Sequence, residues 1–182
     1  MNRRGHVAER IVLGVDPSTT ATGFGLVRTD GYDIEAVRYG VIKTARRFSL
    51  ADRLLKIFNE LTEIILAFRP DEFAIEDIFY AEHTKSALKL GHARGVAMLS
   101  ARLKELPVAE YSPREVKQAV VGYGNASKEQ VKLSVQRMLN LPADKPLSFD
   151  AADALAVALC HCHRISREMI QGQAAQRMHE KK

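Results

Sequence analysis

Residues Ile11-Val12-Leu13-Gly14-Val15-Asp16 form a short apolar run that ends on an acid. That is the pattern of a buried strand whose last residue emerges at the edge of a core. Working outward, residues 23–28 follow a Ser/Thr-rich turn, and residues 32–44 give a third extended stretch after Asp30-Gly31. Three strands with tight connections predict an antiparallel meander. Between residues 51 and 68, Leu54, Leu55, Ile57, Phe58, Leu61, Ile64, Ile65 and Phe68 recur at helical spacing, and Pro70 stops the run. Glu72-Phe73-Ala74-Ile75-Glu76 is a fourth strand, again ending on an acid. A helix over residues 84–105, closed by Pro107, precedes a fifth strand at residues 108–111.

Ser112-Pro113-Arg114-Glu115 combines a capping residue, proline at the first helical position and a glutamate able to reach back, so a helix starts there. Ser127-Lys128-Glu129-Gln130 repeats that logic for a helix to about Asn140, and Gly122-Tyr123-Gly124-Asn125-Ala126 between them is a turn. A last helix is expected from Asp150 through His163. The order βββαβα followed by helices predicts an α/β domain, a mixed five-stranded sheet with helices on both faces. With no internal repeat or low-complexity linker, residues 11–164 read as one domain. It is flanked by a flexible N-terminal extension (1–10) and a basic tail (165–182).

The chain has 182 residues, 46% hydrophobic and 27% charged, a globular balance. No apolar run approaches the roughly 18 residues of a membrane span, and no apolar stretch follows the basic N-terminus to make a secretory signal. Cys160 and Cys162 lie too close to staple a fold, so a reducing cytoplasm is the expected compartment. The net charge of +5 resides in the two tails, which weakens it as a sign of nucleic-acid binding. Local distribution says more. Residues 84–104 hold five Lys/Arg and no acid, and residues 112–137 hold Arg114, Lys117, Lys128, Lys132 and Arg137 against two glutamates. Such segments suit phosphates.

Asp16 and Glu76 end two strands, while Asp150 and Asp153 are spaced i, i+3 at the start of the last helix and share one helical face. Singly, each is more often a cap or a turn residue. Together they would repel one another at an apolar sheet unless cations joined them. Hard carboxylate oxygens suit Mg²⁺ or Mn²⁺, and two such ions can drive in-line phosphodiester hydrolysis.

These segments resemble the RuvC family of Holliday junction resolvases. The resemblance rests on Leu13-Gly14-Val15-Asp16-Pro17, on residues 73–79 around Glu76, on residues 86–96, on residues 116–124 and on Asp150-Ala151-Ala152-Asp153-Ala154-Leu155-Ala156. It implies a ribonuclease H-like fold and a homodimer that nicks four-way junction DNA symmetrically with two Mg²⁺ ions per site, Mn²⁺ substituting. It also implies an association with the branch-migration helicase complex (RuvA–RuvB). Asp16, Glu76, Asp150 and Asp153 would be the catalytic, metal-holding acids; some members carry His at the place of Asp150. Phe79 would stack on an unpaired base near the junction centre, and Lys117 and Lys128 would contact phosphates. Without the resemblance, Phe79 would read as a core residue and the lysines as solvated. Ser18 stands where the family has glycine, a strained choice if that turn needs φ > 0.

Cys160-His161-Cys162-His163 is not a zinc site, because consecutive helical residues point in different directions. Buried cysteines on an apolar helix face are expected instead. Two rivals remain: an actin-like or sugar-kinase-like ATPase, whose phosphate loop resembles residues 14–23 but which needs a second domain, and a non-catalytic junction binder, which would not need four converging acids.

Overall fold

In the computed structural model, which describes residues 9–77, 84–142 and 146–179, the opening apolar run is β1 (Arg10–Asp16), the central strand of a five-stranded sheet. β2 (Ala21–Thr29) and β3 (Ile34–Lys43) complete the expected antiparallel meander. β4 (Glu72–Glu76) lies parallel to β1 on its other side, and β5 (Val108–Tyr111) lies parallel to β4. The order is β3-β2-β1-β4-β5. Parallel neighbours need crossovers, supplied by α1 (Leu50–Phe68) and α2 (Thr84–Arg102). Both helices cover one face, where Leu13, Val15, Phe73 and Ile75 meet Ile57, Leu61, Ala93 and Ala97.

The opposite face carries α3 (Pro113–Val121), α4 (Lys128–Met138) and α5 (Phe149–His179). Val12, Val27 and Ala74 pack there against Leu155, Leu159 and the alanines of α5. Burial on both faces is why β1 reads as an unbroken apolar run rather than an alternating one. This is the ribonuclease H-like arrangement that the resemblance implied. Both predicted capping boxes form, on Ser112 and on Ser127. Gly122, at φ 96°, ends α3 in a left-handed conformation that glycine adopts without strain.

Helix α5 fixes the layer spacing. A Cβ added to Gly14 would run into the Ala154 carbonyl, and one on Gly25 would strike Leu155. Bare strand backbone and the alanine face of α5 therefore meet almost without intervening side chains. α5 also continues to His179, well past the expected end at His163. No proline or capping glycine follows His163, and Ile165 extends the buried stripe while Met169 packs on Gly31. The basic composition that suggested a tail is equally compatible with a helix surface.

Cys160 and Cys162 are buried as expected. His161, fully buried, ties α5 to two strands: its Nε2 lies 2.7 Å from Glu72 Oε2 and its Nδ1 lies 2.7 Å from the Tyr111 hydroxyl. An ionised carboxylate only accepts, so Nε2 carries the proton; a neutral ring then accepts from Tyr111 at Nδ1. Burial lowers the His161 pKa in keeping with that neutral ring, although Glu72 opposes the shift.

Gly14→Ala is expected to destabilise the protein by about 3 kcal/mol, because the clash is with helix backbone rather than a movable side chain. Urea unfolding checks it: the midpoint should fall at unchanged slope. An unaltered midpoint would show that α5 can stand away from the sheet at no cost.

Candidate active site

Asp16 is the last residue of β1, opposite Gly23 of β2. Val15 pairs with Ile75, so Asp16 and Glu76 occupy the next positions on adjacent parallel strands, whose backbones run about 4.8 Å apart. The first turn of α5 carries Asp150, and Asp153 follows one turn on. Gly23 permits this, because a Cβ there would overlap the Asp150 carbonyl. The start of α5 is capped by Ser148, whose hydroxyl accepts from the Ala151 N–H at 3.3 Å. Capping, the bland explanation for the two aspartates, thus falls to another residue. Ser18 adopts no positive φ. Its hydroxyl accepts from the N–H groups of Thr20 and Ala21, and its carbonyl accepts from Thr22 Oγ1 at 2.5 Å, so serine suits this turn.

The acids act on one another through a poorly solvated space. Burial, then the charges of Glu76 and Asp153, push the Asp16 carboxyl up to about 8; Asp150 adds to the rise and Lys128 opposes it. Burial and Asp153 raise Glu76 to about 7, with Lys128 and Lys117 pulling the other way. Asp153 is raised by burial against the pull of Lys128. All four predicted acids therefore share one field, as do both predicted lysines.

Lys128 does more than stand nearby. Its Nζ lies 3.2 Å from Asp153 Oδ2, and its side chain remains 68% exposed. Phe79 and His83 lie outside the described residues. His92 is exposed. Sequence reasoning missed Arg94, which joins Asp77 at 3.2 Å and Glu110 and whose Nε donates to the Glu76 carbonyl at 3.3 Å. It thereby fixes the strand end that presents Glu76; in the sequence it stood out only by its place in the acid-poor run and in the family-like segment 86–96.

The donor chemistry fits hard divalent cations: anionic oxygen ligands gathered at one end of the sheet. Among the described residues, no three His, Cys, Asp or Glu side chains stand close enough to enclose an ion by themselves. A magnesium-type ion there would take one or two of these carboxylates and complete its shell with water and phosphate oxygens.

Residues 12–161 match the family described as Crossover junction endodeoxyribonuclease RuvC. A relative of that name from Tolumonas auensis is 51% identical over 153 residues, covering 84% of this chain and 87% of its own. One from Syntrophomonas wolfei is 46% identical over 152 residues, covering 84% and 88%. Among solved structures, Thermus thermophilus RuvC in complex with Holliday junction substrate superposes with a TM-score of 0.81 at 34% identity, over 87% of this chain and 96% of that one.

The raised acids set a sign for stability. A carboxyl that binds its proton more tightly when folded stabilises at low pH, and that contribution is lost as pH rises from about 4 through the folded value near 8. Metal-free Asp16→Asn should therefore melt several degrees above wild type at pH 8, with the gap closing toward pH 5. Comparing the two proteins cancels the opposite contribution of His161. Thermal melts in EDTA across that range test it; a gap independent of pH would mean that Asp16 is not held protonated.

Proposed function

The chain belongs to the RuvC family, and from that premise we propose that it is a structure-specific endonuclease that resolves four-way (Holliday) junctions by paired symmetric nicks during recombination and repair. The observation that carries the reading is the meeting of Asp16, Glu76, Asp150 and Asp153 in one field, with Lys117 and Lys128 beside them. These four acids would hold Mg²⁺, two ions per site, with Mn²⁺ able to replace it. Bound there, the ions would lower the pKa of an attacking water and neutralise the leaving oxygen.

The protein's own groups have separate tasks. Asp16 and Glu76, on rigid strand ends, supply oxygens whose direction is fixed by the sheet. Both resist ionisation, so the competent state is reached only when positive charge arrives to oppose their repulsion. Lys128 neutralises Asp153 and is exposed enough to turn toward a phosphate oxygen instead. Lys117 would place a second positive charge beside the reacting phosphate. Phe79, three positions after Glu76 in the sequence, would meet an unpaired base at the junction centre.

Symmetric nicking calls for two active sites, and α2 offers a seam for a homodimer. Leu88, Leu99 and Leu103 are each more than half exposed on one stripe. Gly95, on the same stripe with nothing within 4 Å, would let a second helix approach closely. Association with a branch-migration helicase complex in the cytoplasm is the corresponding setting. No helix of the described residues is long and apolar enough to cross a membrane.

On a synthetic four-way junction with Mg²⁺, wild type should cut two opposed strands. Asp16→Asn and Glu76→Gln should slow cutting by about 100-fold or more while leaving binding nearly intact. Loss of binding together with cutting would return these acids to a folding role. Separately, Leu99→Asp should yield monomers by light scattering and uncouple the paired nicks; a dimer surviving that change would move the seam elsewhere.

A further inference from the structure

Residues 36–59 contain six Lys/Arg and a single acid, Asp52. That acid is engaged by Ser49, whose hydroxyl donates to it at 2.6 Å at the start of α1. Among the described residues, no carboxylate forms an ion pair with Lys43, Arg46 or Arg47, and all three are exposed. The Arg47 guanidinium rests 5.4 Å from the ring centre of Phe48, an aromatic left 46% exposed. Adjacent cations repel one another, and among the described residues no ion pair offsets that repulsion.

The topology shows which way they face. β3 runs antiparallel to β2 and ends, like β1, at the end of the sheet that carries Asp16. Thr44 locks the two ends together: its N–H donates to the Thr20 carbonyl at 3.0 Å and its hydroxyl to the Thr19 carbonyl at 2.6 Å. Arg53 reaches the same Thr19 carbonyl from α1 at 3.5 Å. The turn after β3 is thus anchored three residues from Asp16, on the β3 side of the sheet. Lys117 and Lys128 flank the acids from α3 and α4 instead. The turn leads into α1 on one face of the sheet, whereas α3 and α4 belong to the other, so two separate basic segments border the acid end of the sheet.

We propose that Lys43, Arg46 and Arg47 form a second phosphate-binding edge. It would grip the DNA backbone on the side of the acids away from Lys117 and Lys128, with Phe48 holding the Arg47 guanidinium outward. The inference rests on the nuclease reading and adds a contact surface to it. Two unlike flanks would hold a strand across the acids in one direction, which a single basic face cannot do. Phosphate contacts position a nucleic acid without reading its sequence.

Each phosphate contact contributes about −0.9 to the slope of log affinity against log salt. Binding of a four-way junction, measured in EDTA over a salt series, should therefore show Arg46→Ala/Arg47→Ala losing about 1.8 from that slope. Affinity should fall about tenfold or more near 0.1 M salt. Arg46→Lys/Arg47→Lys should restore most of the slope, because charge suffices for such contacts. Arg28→Ala/Arg167→Ala removes equal charge away from this edge and should leave the slope near that of wild type. An unchanged slope in the first double variant, with wild type binding and nicking normally, overturns the inference and spares the nuclease reading. Equal losses in both alanine doubles also overturn it, in favour of general charge. A wild type that neither binds nor nicks the junction overturns the nuclease reading itself.

Discussion

The backbone-to-backbone approach of α5 to the sheet is the constraint on which the rest depends. Gly14, Gly23 and Gly25 leave the neighbouring strands bare where Asp150, Ala154, Leu155 and Ala158 press against them. Packing at this density transmits a displacement rather than absorbing it. A helix riding higher by one methyl group would carry Asp150 and Asp153 away from Asp16. The glycines and alanines that look dispensable in the core therefore set the spacing of the acids. The buried tie from His161 to Glu72 and Tyr111 holds the same helix along its length.

That spacing has an electrostatic consequence. Burial at an apolar sheet end, and after it the charges of neighbouring carboxylates, keep Asp16 and Glu76 holding their protons well above the usual carboxylate range. Ionising such a cluster is unfavourable unless positive charge stands beside it. Protons, the Lys128 ammonium and divalent cations are alternative ways of relieving it. On the proposed reading, metal and DNA binding would be linked through this cluster, each favouring the other.

Much of this was legible because the acids interrupt strong patterns. An apolar run ending on Asp16, another ending on Glu76, and two aspartates at i, i+3 could be read without coordinates, and so could the capping boxes on Ser112 and Ser127. The sheet's mixed sense followed from the order of its elements. What escaped the sequence depended on partners distant along it. Lys128 and Asp153 are 25 positions apart; Glu72, Tyr111 and His161 come from three elements, and no local periodicity links them. Arg94 was visible only as one member of a basic run and of the family-like segment 86–96. The overlong α5 was missed because basic composition was read as solvation, whereas Ile165 and Met169 continue its buried stripe.

The placement of the two signs of charge follows a division of labour. The acids sit on elements held by core packing, β1, β4 and the buried face of α5, where small displacements are costly. The cations sit on exposed ends: Lys128 at the start of α4, and the arginines in the turn after β3. A metal-binding oxygen needs a fixed direction, because coordination is short and angular. A phosphate contact tolerates variation, because an ammonium or guanidinium on a long stem can reach several oxygens of a moving backbone. Lys128 links the two sets. Its 3.2 Å contact with Asp153 sets a positive charge against one acid, while its stem stays 68% exposed; on the proposed reading that charge would pass to a phosphate oxygen without rearranging the fold.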